Sequence, residues 1–392
     1  MFSQDDAPTS DQPQEESGST DTGTDHLTSP AEGDAAIPPD NLVPTEVGLG
    51  VERPFYSPPV KRNKLERHWH KNALITGLLI GGVAGYFLGF NYPPSVAFSG
   101  LPQGGSATSA TTAAEVELVA LRGGSYTMGD TVDGMKDARP HQVSLTPFMM
   151  AKHEVSLELW DNVMHWGHNH GYPDLPAGNG KAHDHPVYGI SWGDAVKWCN
   201  ALSEKEGLTP CYYTDSSRQT VARQGIADIG NQQVQWQANG YRLPTEAEWE
   251  FAARGGLAGK RFPWGNEITQ AQANYHGSTL ISYDKCQRSG PAAALMSSPP
   301  FTAAVGSFPA NGFGLNDMAG NMAEWCWDFY DESYGAPMPL LNNPHGPDTG
   351  KNCVIRGGSW RHTATDARCA NRFSLPGDKA AIYVGFRVVR GR

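Results

Sequence analysis

An uncharged apolar run from Ala73 to Phe90 (ALITGLLIGGVAGYFLGF) covers 18 residues. As a helix it is roughly 27 Å long, close to the ~30 Å hydrocarbon core of a bilayer, so it predicts one transmembrane helix over 73–90. Beyond it the pattern changes to short alternating runs broken by Gly and Pro. Glu115 to Leu121 and Val143 to Met149 are expected strands. Two stretches carry a helical period instead. Thr245 followed by Glu248 forms a capping box ahead of Ala247–Arg254, and Gly255–Gly256 ends that helix. A second helix is expected from Trp192 to about Lys205, with Ala195, Val196, Cys199 and Leu202 on one face. The remainder reads as loop carrying short strands, which predicts a single α+β, loop-rich domain over 116–392.

Charge divides the chain further. The 392 residues sum to a net charge of -11, yet residues 1 to 52 hold twelve Asp or Glu and no Lys or Arg, so the rest sums to -11 + 12 = +1. Residues 1–60 are expected to be a disordered acidic tail, because their Pro, Ser, Thr, Gly and Asp cannot bury enough apolar surface to offset chain entropy. No basic footprint for nucleic acid is present. The segment 61–72 is basic (Lys61, Arg62, Lys64, Arg67, Lys71), whereas the linker 91–115 has no basic residue. By the positive-inside rule the tail is cytoplasmic and the large domain exported, giving a single-pass plasma or inner membrane protein with a periplasmic or extracellular domain. A cleaved signal peptide fits less well, since some seventy residues precede the run. Gly77, Gly81, Gly85 and Gly89 fall on one stripe of the span and suit a homodimer, although glycine is common in membrane helices generally.

Six cysteines (199, 211, 286, 326, 353, 369) fit three bridges in an oxidising compartment, with fifteen possible pairings, and the lack of a C-x-x-C pair argues against zinc. In Asp317–Trp325 two carboxylates bracket a Gly-bearing turn whose carbonyls can converge, a partial shell for calcium. Asp317 capping a turn and Glu324 pairing with an Arg is the equal alternative. His165, His168, His170, His183 and His185 with Asp184 could hold zinc or iron, or be solvated loop residues. Trp249, Trp264, Trp325 and Trp360 could line a cleft, though aromatic residues in such a domain are more often core. No nucleophile elbow, P-loop or Rossmann fingerprint occurs.

Several segments together carry a family resemblance. In order they are Arg122-Gly-Gly-Ser-Tyr-Thr-Met-Gly129, His185-Pro-Val187, Ser191-Trp-Gly-Asp-Ala195, Gly240-Tyr-Arg-Leu-Pro-Thr-Glu-Ala-Glu-Trp-Glu250, Phe262-Pro-Trp-Gly-Asn266, the Asp317–Trp325 loop, Arg356-Gly-Gly-Ser-Trp360 and Gly385-Phe-Arg387. The sequence resembles the formylglycine-generating enzyme (sulfatase-modifying factor) family from about Val116 to Arg390. That resemblance implies a variant of the C-type lectin fold with bound calcium. It puts one calcium site on Asp317, the carbonyls of Gly320 and Met322, and Glu324. A second would begin at Asn274 and the carbonyl of Tyr275, but its later Asp has no counterpart near Ser297.

The family's oxidases hold copper between two cysteines that follow the Gly-Gly-Ser-aromatic turn, and soft sulfur selects Cu(I). Here His362 stands at the first ligand position, the second is missing, and Cys369 matches a later structural cysteine whose usual partner position is Ala253. Copper is therefore not expected. Two functions remain in view. One is a calcium-stabilised binding or scaffold module whose partner is an envelope or secreted protein or a glycan. The other is an oxidase of the formylglycine-generating type, or a related metal-dependent oxidase, using a cleft framed by Ser359, Trp360, His362, Arg368, Cys369 and Arg372. The related sulfoxide synthases add a helical iron-binding domain, for which 91–116 leaves no room.

Overall fold

The computed structural model describes residues 115–225, 229–334 and 340–391. The tail, the basic segment, the apolar run 73–90 and its glycine stripe lie outside the described residues. Among the described residues no helix is long and apolar enough to cross a membrane.

The two helices expected from the pattern form with the expected signals. α1 (Leu157–His168) precedes them, α2 spans Trp192–Lys205 and α3 spans Glu246–Arg254. Each starts at a hydroxyl cap: Ser156, Ser191 and Thr245 accept from backbone N–H groups that a helix cannot satisfy itself. Ser191–Asp194 and Thr245–Glu248 are reciprocal capping boxes. α3 stops where Gly255 turns left-handed at φ 56°, a conformation that costs glycine least. α1 corrects the expectation of loop before residue 192. Leu159, Trp160, Val163 and Met164 sit at helical spacing on its buried face, against α2.

Short strands supply the rest. β1 (Leu118–Leu121), β4 (Phe148–Ala151), β11 (Val389–Gly391) and β5 (Tyr241–Arg242) form one antiparallel sheet in the order β1-β4-β11-β5. β2 (Gly124–Met128), β3 (His141–Leu145) and β7 (Leu341–Asn342) form a second, mixed sheet, antiparallel between β2 and β3 and parallel between β3 and β7. The third runs β10-β6-β8-β9, with β6 Ala323–Phe329, β8 Asn352–Arg356, β9 Arg372–Pro376 and β10 Val384–Gly385. The run 143–149 is thus not one strand. It breaks between β3 and β4 at Thr146-Pro147, where proline can donate no ladder hydrogen bond.

Core packing follows these elements. α1 and α2 press Trp160, Trp198, Val196 and Leu202 onto Trp325, Trp327 and Phe386. α3 packs Ala247, Trp249, Ala252 and Ala253 with Val143, Phe148 and Cys326 in a second cluster. A third, smaller cluster of Phe262, Ile268, Ala273, Tyr275, Ala364 and Ala367 lies among the loops. All six cysteines are free thiols, five of them buried, so the expected bridges are not formed here. Burial disfavours the thiolate, pushing Cys211 to about 11 and Cys353 and Cys369 to about 12.

Candidate functional site

The loop before β6 enters two left-handed residues, Asp317 (φ 57°) and Asn321 (φ 59°), with Gly320 (φ 79°) between them. A Cβ at Gly320 would lie 2.3 Å from the Asn274 carbonyl, so only glycine fits that approach. Three separate elements then clamp the loop. From α3, Trp249 Nε1 donates to Glu324 Oε2 at 2.8 Å. From the turn between β10 and β11, Arg387 grips Glu324 with both Nε and Nη2 at 2.7 Å, and also reaches the carbonyls of Ala151, Lys152 and Asn316. Between β4 and α1, Glu154 accepts from Met322 N at 2.9 Å and Asn321 Nδ2 at 2.8 Å.

The turn-fixing and ion-pair alternative for this loop is visible. Glu324 does pair with an arginine, and Asp317 Oδ2 accepts from Gly306 N at 2.6 Å as a turn-fixing carboxylate does. Yet Asp317 Oδ1 is buried without a hydrogen-bond partner among the described residues. Glu154, Asp317 and Glu324 are all buried, and the Arg387 guanidinium beside them pairs with Glu324, so the other two carboxyls sit where the charged form is disfavoured. Burial, followed by the repulsion of Asp317 and Glu324, drives the Glu154 carboxyl well above its ordinary range. Burial likewise lifts Asp317 to about 6. Sequence reasoning missed Glu154, since nothing local marks a glutamate that meets its partners some 168 positions away.

Asn274 and Tyr275 fare differently. Asn274 Oδ1 is buried without a partner among the described residues, while its amide donates to Phe301 O and Asn321 Oδ1. The Tyr275 carbonyl already takes Gln270 Nε2, and its hydroxyl meets Asp284 Oδ1. Among the described residues no three His, Cys, Asp or Glu side chains converge where an ion would sit.

The proposed cleft residues divide into two groups. Ser359 Oγ and His362 Nδ1 lie 2.8 Å apart, both buried, with the imidazole stacked on Phe373 and edge-on to Tyr383. Burial first, then the Arg361 charge, drives His362 down to about 4, so the ring is neutral at pH 7. Trp360 is buried against Phe301, and its indole nitrogen has no hydrogen-bond partner among the described residues. The others face elsewhere. Arg368 bonds Asp133 at 2.7 Å and Val132 O at 2.9 Å, while Arg372 holds Glu246 bidentately at 2.6 and 2.8 Å. Cys369 is buried, and its carbonyl accepts from Arg356 Nη2 at 2.7 Å. Arg372 ties β9 to α3 and the Cys369 carbonyl holds Arg356 of β8, while Arg368 reaches the Val132–Asp133 segment, so each is engaged in contacts that do not involve Ser359 or His362. A two-thiolate copper site does not fit this segment, which offers one buried thiol and an imidazole already bonded to a serine.

The remaining candidates are structural. His165 Nδ1 bonds Asp161 O, His168 Nε2 bonds Leu175 O, and His170 Nδ1 bonds Trp166 O while stacking on that indole at 3.9 Å. The first two occupy the last turn of α1, a helix rather than a loop, and His183 and His185 lie by its first turn, so the imidazoles do not gather. Trp249, Trp325 and Trp360 are core, and Trp264 is half-buried.

A loop-rich α+β body whose glycine turn is clamped by helix, strand end and C-terminal arginine is the architecture of a sulfatase-modifying-factor-type domain. Residues 104–392 match the sulfatase-modifying factor enzyme 1-like domain, and the chain belongs to that family. It is 29% identical over 297 residues to the Chaperone protein LppX of Paenibacillus barcinonensis, covering 73% of this chain and 93% of that protein. Over 156 residues it is 40% identical to the formylglycine-generating enzyme of Streptomyces coelicolor, covering 38% of this chain and 46% of the enzyme. Over 285 residues it is 32% identical to the serine/threonine-protein kinase pkn1 of Chlamydia caviae, of which it spans 38%. Among solved structures it resembles Treponema denticola variable protein 1 (27% identity, TM-score 0.54, 70% of this chain and 95% of that one). CarF is similar at 25% identity and TM-score 0.53, covering 71% and 99%.

Proposed function

We propose that this chain is a membrane-anchored, exported member of the family that binds a partner and does not oxidise cysteine. The observation that carries the proposal is the Arg361–Cys369 segment. A neutral His362 bonded to Ser359 occupies the position of the first copper thiolate, and the segment's one sulfur belongs to Cys369, whose thiol burial pushes up to about 12. Copper oxidation needs two accessible thiolates, and this environment disfavours even one. The partner is an envelope or secreted protein or a glycan met outside the membrane. Similarity to a protein named as a chaperone, nearly all of whose length the chain spans, supports an accessory role.

The apolar run 73–90 serves as the anchor, the basic segment 61–72 holds the N-terminus in the cytoplasm, and Gly77, Gly81, Gly85 and Gly89 offer a face for pairing. Protease shaving of intact cells tests the orientation: the domain should be digested without permeabilisation, and protection until permeabilisation contradicts export. Calcium is proposed at Asp317, the carbonyls of Gly320 and Met322, and Glu324, supported by the Asp317 oxygen that has no hydrogen-bond partner among the described residues. A second site on Asn274 and Tyr275 retains only the Asn274 oxygen in its favour.

The functional test is incubation of the copper-treated full-length chain with a cysteine-containing sulfatase peptide in air. Mass spectrometry should find the peptide unchanged; an aldehyde in place of the thiol overturns the proposal.

A further inference from the structure

A cleft of about 450 Å³ opens beside the Phe262–Gly265 turn, lined by Trp264, Asn266, Glu267, Thr269, Gln272 and Lys285. Small-molecule sites typically enclose about 300–1,000 Å³. The walls are held from behind. Phe262 N donates to Gly265 O at 2.9 Å and Gly265 N returns to Phe262 O at 3.2 Å, fixing the turn. Phe262 is rooted in the cluster with Ile268, Ala273 and Tyr275, and the Trp264 ring lies within 13° of parallel to it. The indole N–H is satisfied by Glu267 O at 2.9 Å, which locks the ring without occupying its faces.

The polar groups are similarly committed on one side and free on the other. Thr269 donates through N and Oγ1 to Gln272 Oε1, at 3.0 and 2.9 Å, leaving the Gln272 N–H pair without a partner among the described residues. Asn266 Oδ1 accepts from Arg261 N at 3.3 Å, leaving its amide N–H pair similarly placed. Glu267 Oε1 meets Lys285 Nζ at 3.1 Å, so the lining's two charges cancel and the second carboxylate oxygen remains an acceptor.

We infer that the Trp264 cleft binds a neutral saccharide. One aromatic plate, two amides, a hydroxyl and a carboxylate suit a ring with an apolar C–H face and hydroxyls on its rim. A peptide side chain would want aliphatic walls, which are absent among these residues, and a phosphorylated or sulfated sugar would want net positive charge. The sugar face would lie on the indole while its hydroxyls accept from Gln272 and Asn266 and donate to Glu267.

This inference rests on reading the domain as a binding module and names the ligand class, and the two fail separately. Aldehyde formation in the peptide assay removes the binding-only role, whereas a glycan test bears on this cleft alone. The full-length chain is applied to a printed array of neutral oligosaccharides containing glucose, galactose, mannose and N-acetylglucosamine, and the best binder is titrated by saturation-transfer NMR. Binding should weaken roughly tenfold in Trp264→Ala, the size of one well-placed aromatic contact. In Gln272→Glu, which keeps the oxygen that Thr269 bonds and removes the N–H donors, it should weaken about threefold, as loss of one hydrogen bond does. An array with no bound glycan, or a glycan held equally well by both folded variants, overturns the assignment, as does selective binding to an arrayed peptide set.

Discussion

At the scale of single residues, the Asp317–Glu324 loop shows what spacing can and cannot reveal. The seven-residue interval and the glycine between the carboxylates were readable as a clamp, but Arg387 lies 63 positions beyond Glu324 and Glu154 lies 168 before Met322. Pairings over that range are set by the fold and leave no local trace. Arg387→Met should cost about 3–5 kcal/mol in urea unfolding, because it strands Glu324 as a buried carboxylate without its guanidinium. A loss below about 1 kcal/mol would show that this carboxylate is neutralised some other way. His345 gives a second residue-scale test. It stacks on Trp236 at a ring separation of 3.5 Å, and burial first, then Arg242, lowers it from 6.5 to about 4, with Glu248 opposing. The folded state holds the ring neutral while the unfolded chain protonates it below its ordinary value. Its contribution is therefore complete above about pH 6.5 and drains as pH falls toward 4. The melting temperature should drop over that window, and His345→Phe, which keeps the stack but cannot titrate, should flatten the slope.

At the scale of elements, α2 and α3 were legible because their caps and apolar faces agree. α1 has the same grammar, with Ser156 as cap and Leu159, Trp160, Val163 and Met164 at helical spacing. The glycines and histidines at its end disguised it. Gly167 is tolerated inside the helix because it packs tightly, a Cβ there meeting Leu175 and Tyr172 at 3.3 Å. The acid stripe of α3 has a role its capping signals could not announce: Glu246 and Glu250 reach Arg356 on β8, Glu246 also holds Arg372 on β9, and Glu250 holds Arg254. Thr245→Ala removes the cap and should cost about 1 kcal/mol. Gly255→Ala, at φ 56° and with its Cβ 2.9 Å from Gly312 N, should cost more than the ~1 kcal/mol of left-handed strain alone. Equal or reversed costs in chemical denaturation would contradict the packing described for the end of α3.

At the scale of the molecule, eight ordered motifs made the family and its α+β fold legible, while the free state of the six thiols and the scattering of the histidines were not. Cysteine count is blind to which sulfurs end up in separate clusters, and here Cys326 and Cys369 share one cluster while Cys199, Cys211 and Cys353 fall in another. If calcium fills the carboxylate loop, calorimetry of the full-length chain should show the domain transition fall by several degrees on adding chelator, and Asp317→Ala should abolish that response. The account stands or falls on the sulfur chemistry of the Arg361–Cys369 segment. Competition against a chromophoric Cu(I) chelator measures it directly: the reduced full-length chain should leave the metal with the chelator at every protein ratio. Stoichiometric withdrawal of one Cu(I) per chain, abolished by Cys369→Ser, would contradict it.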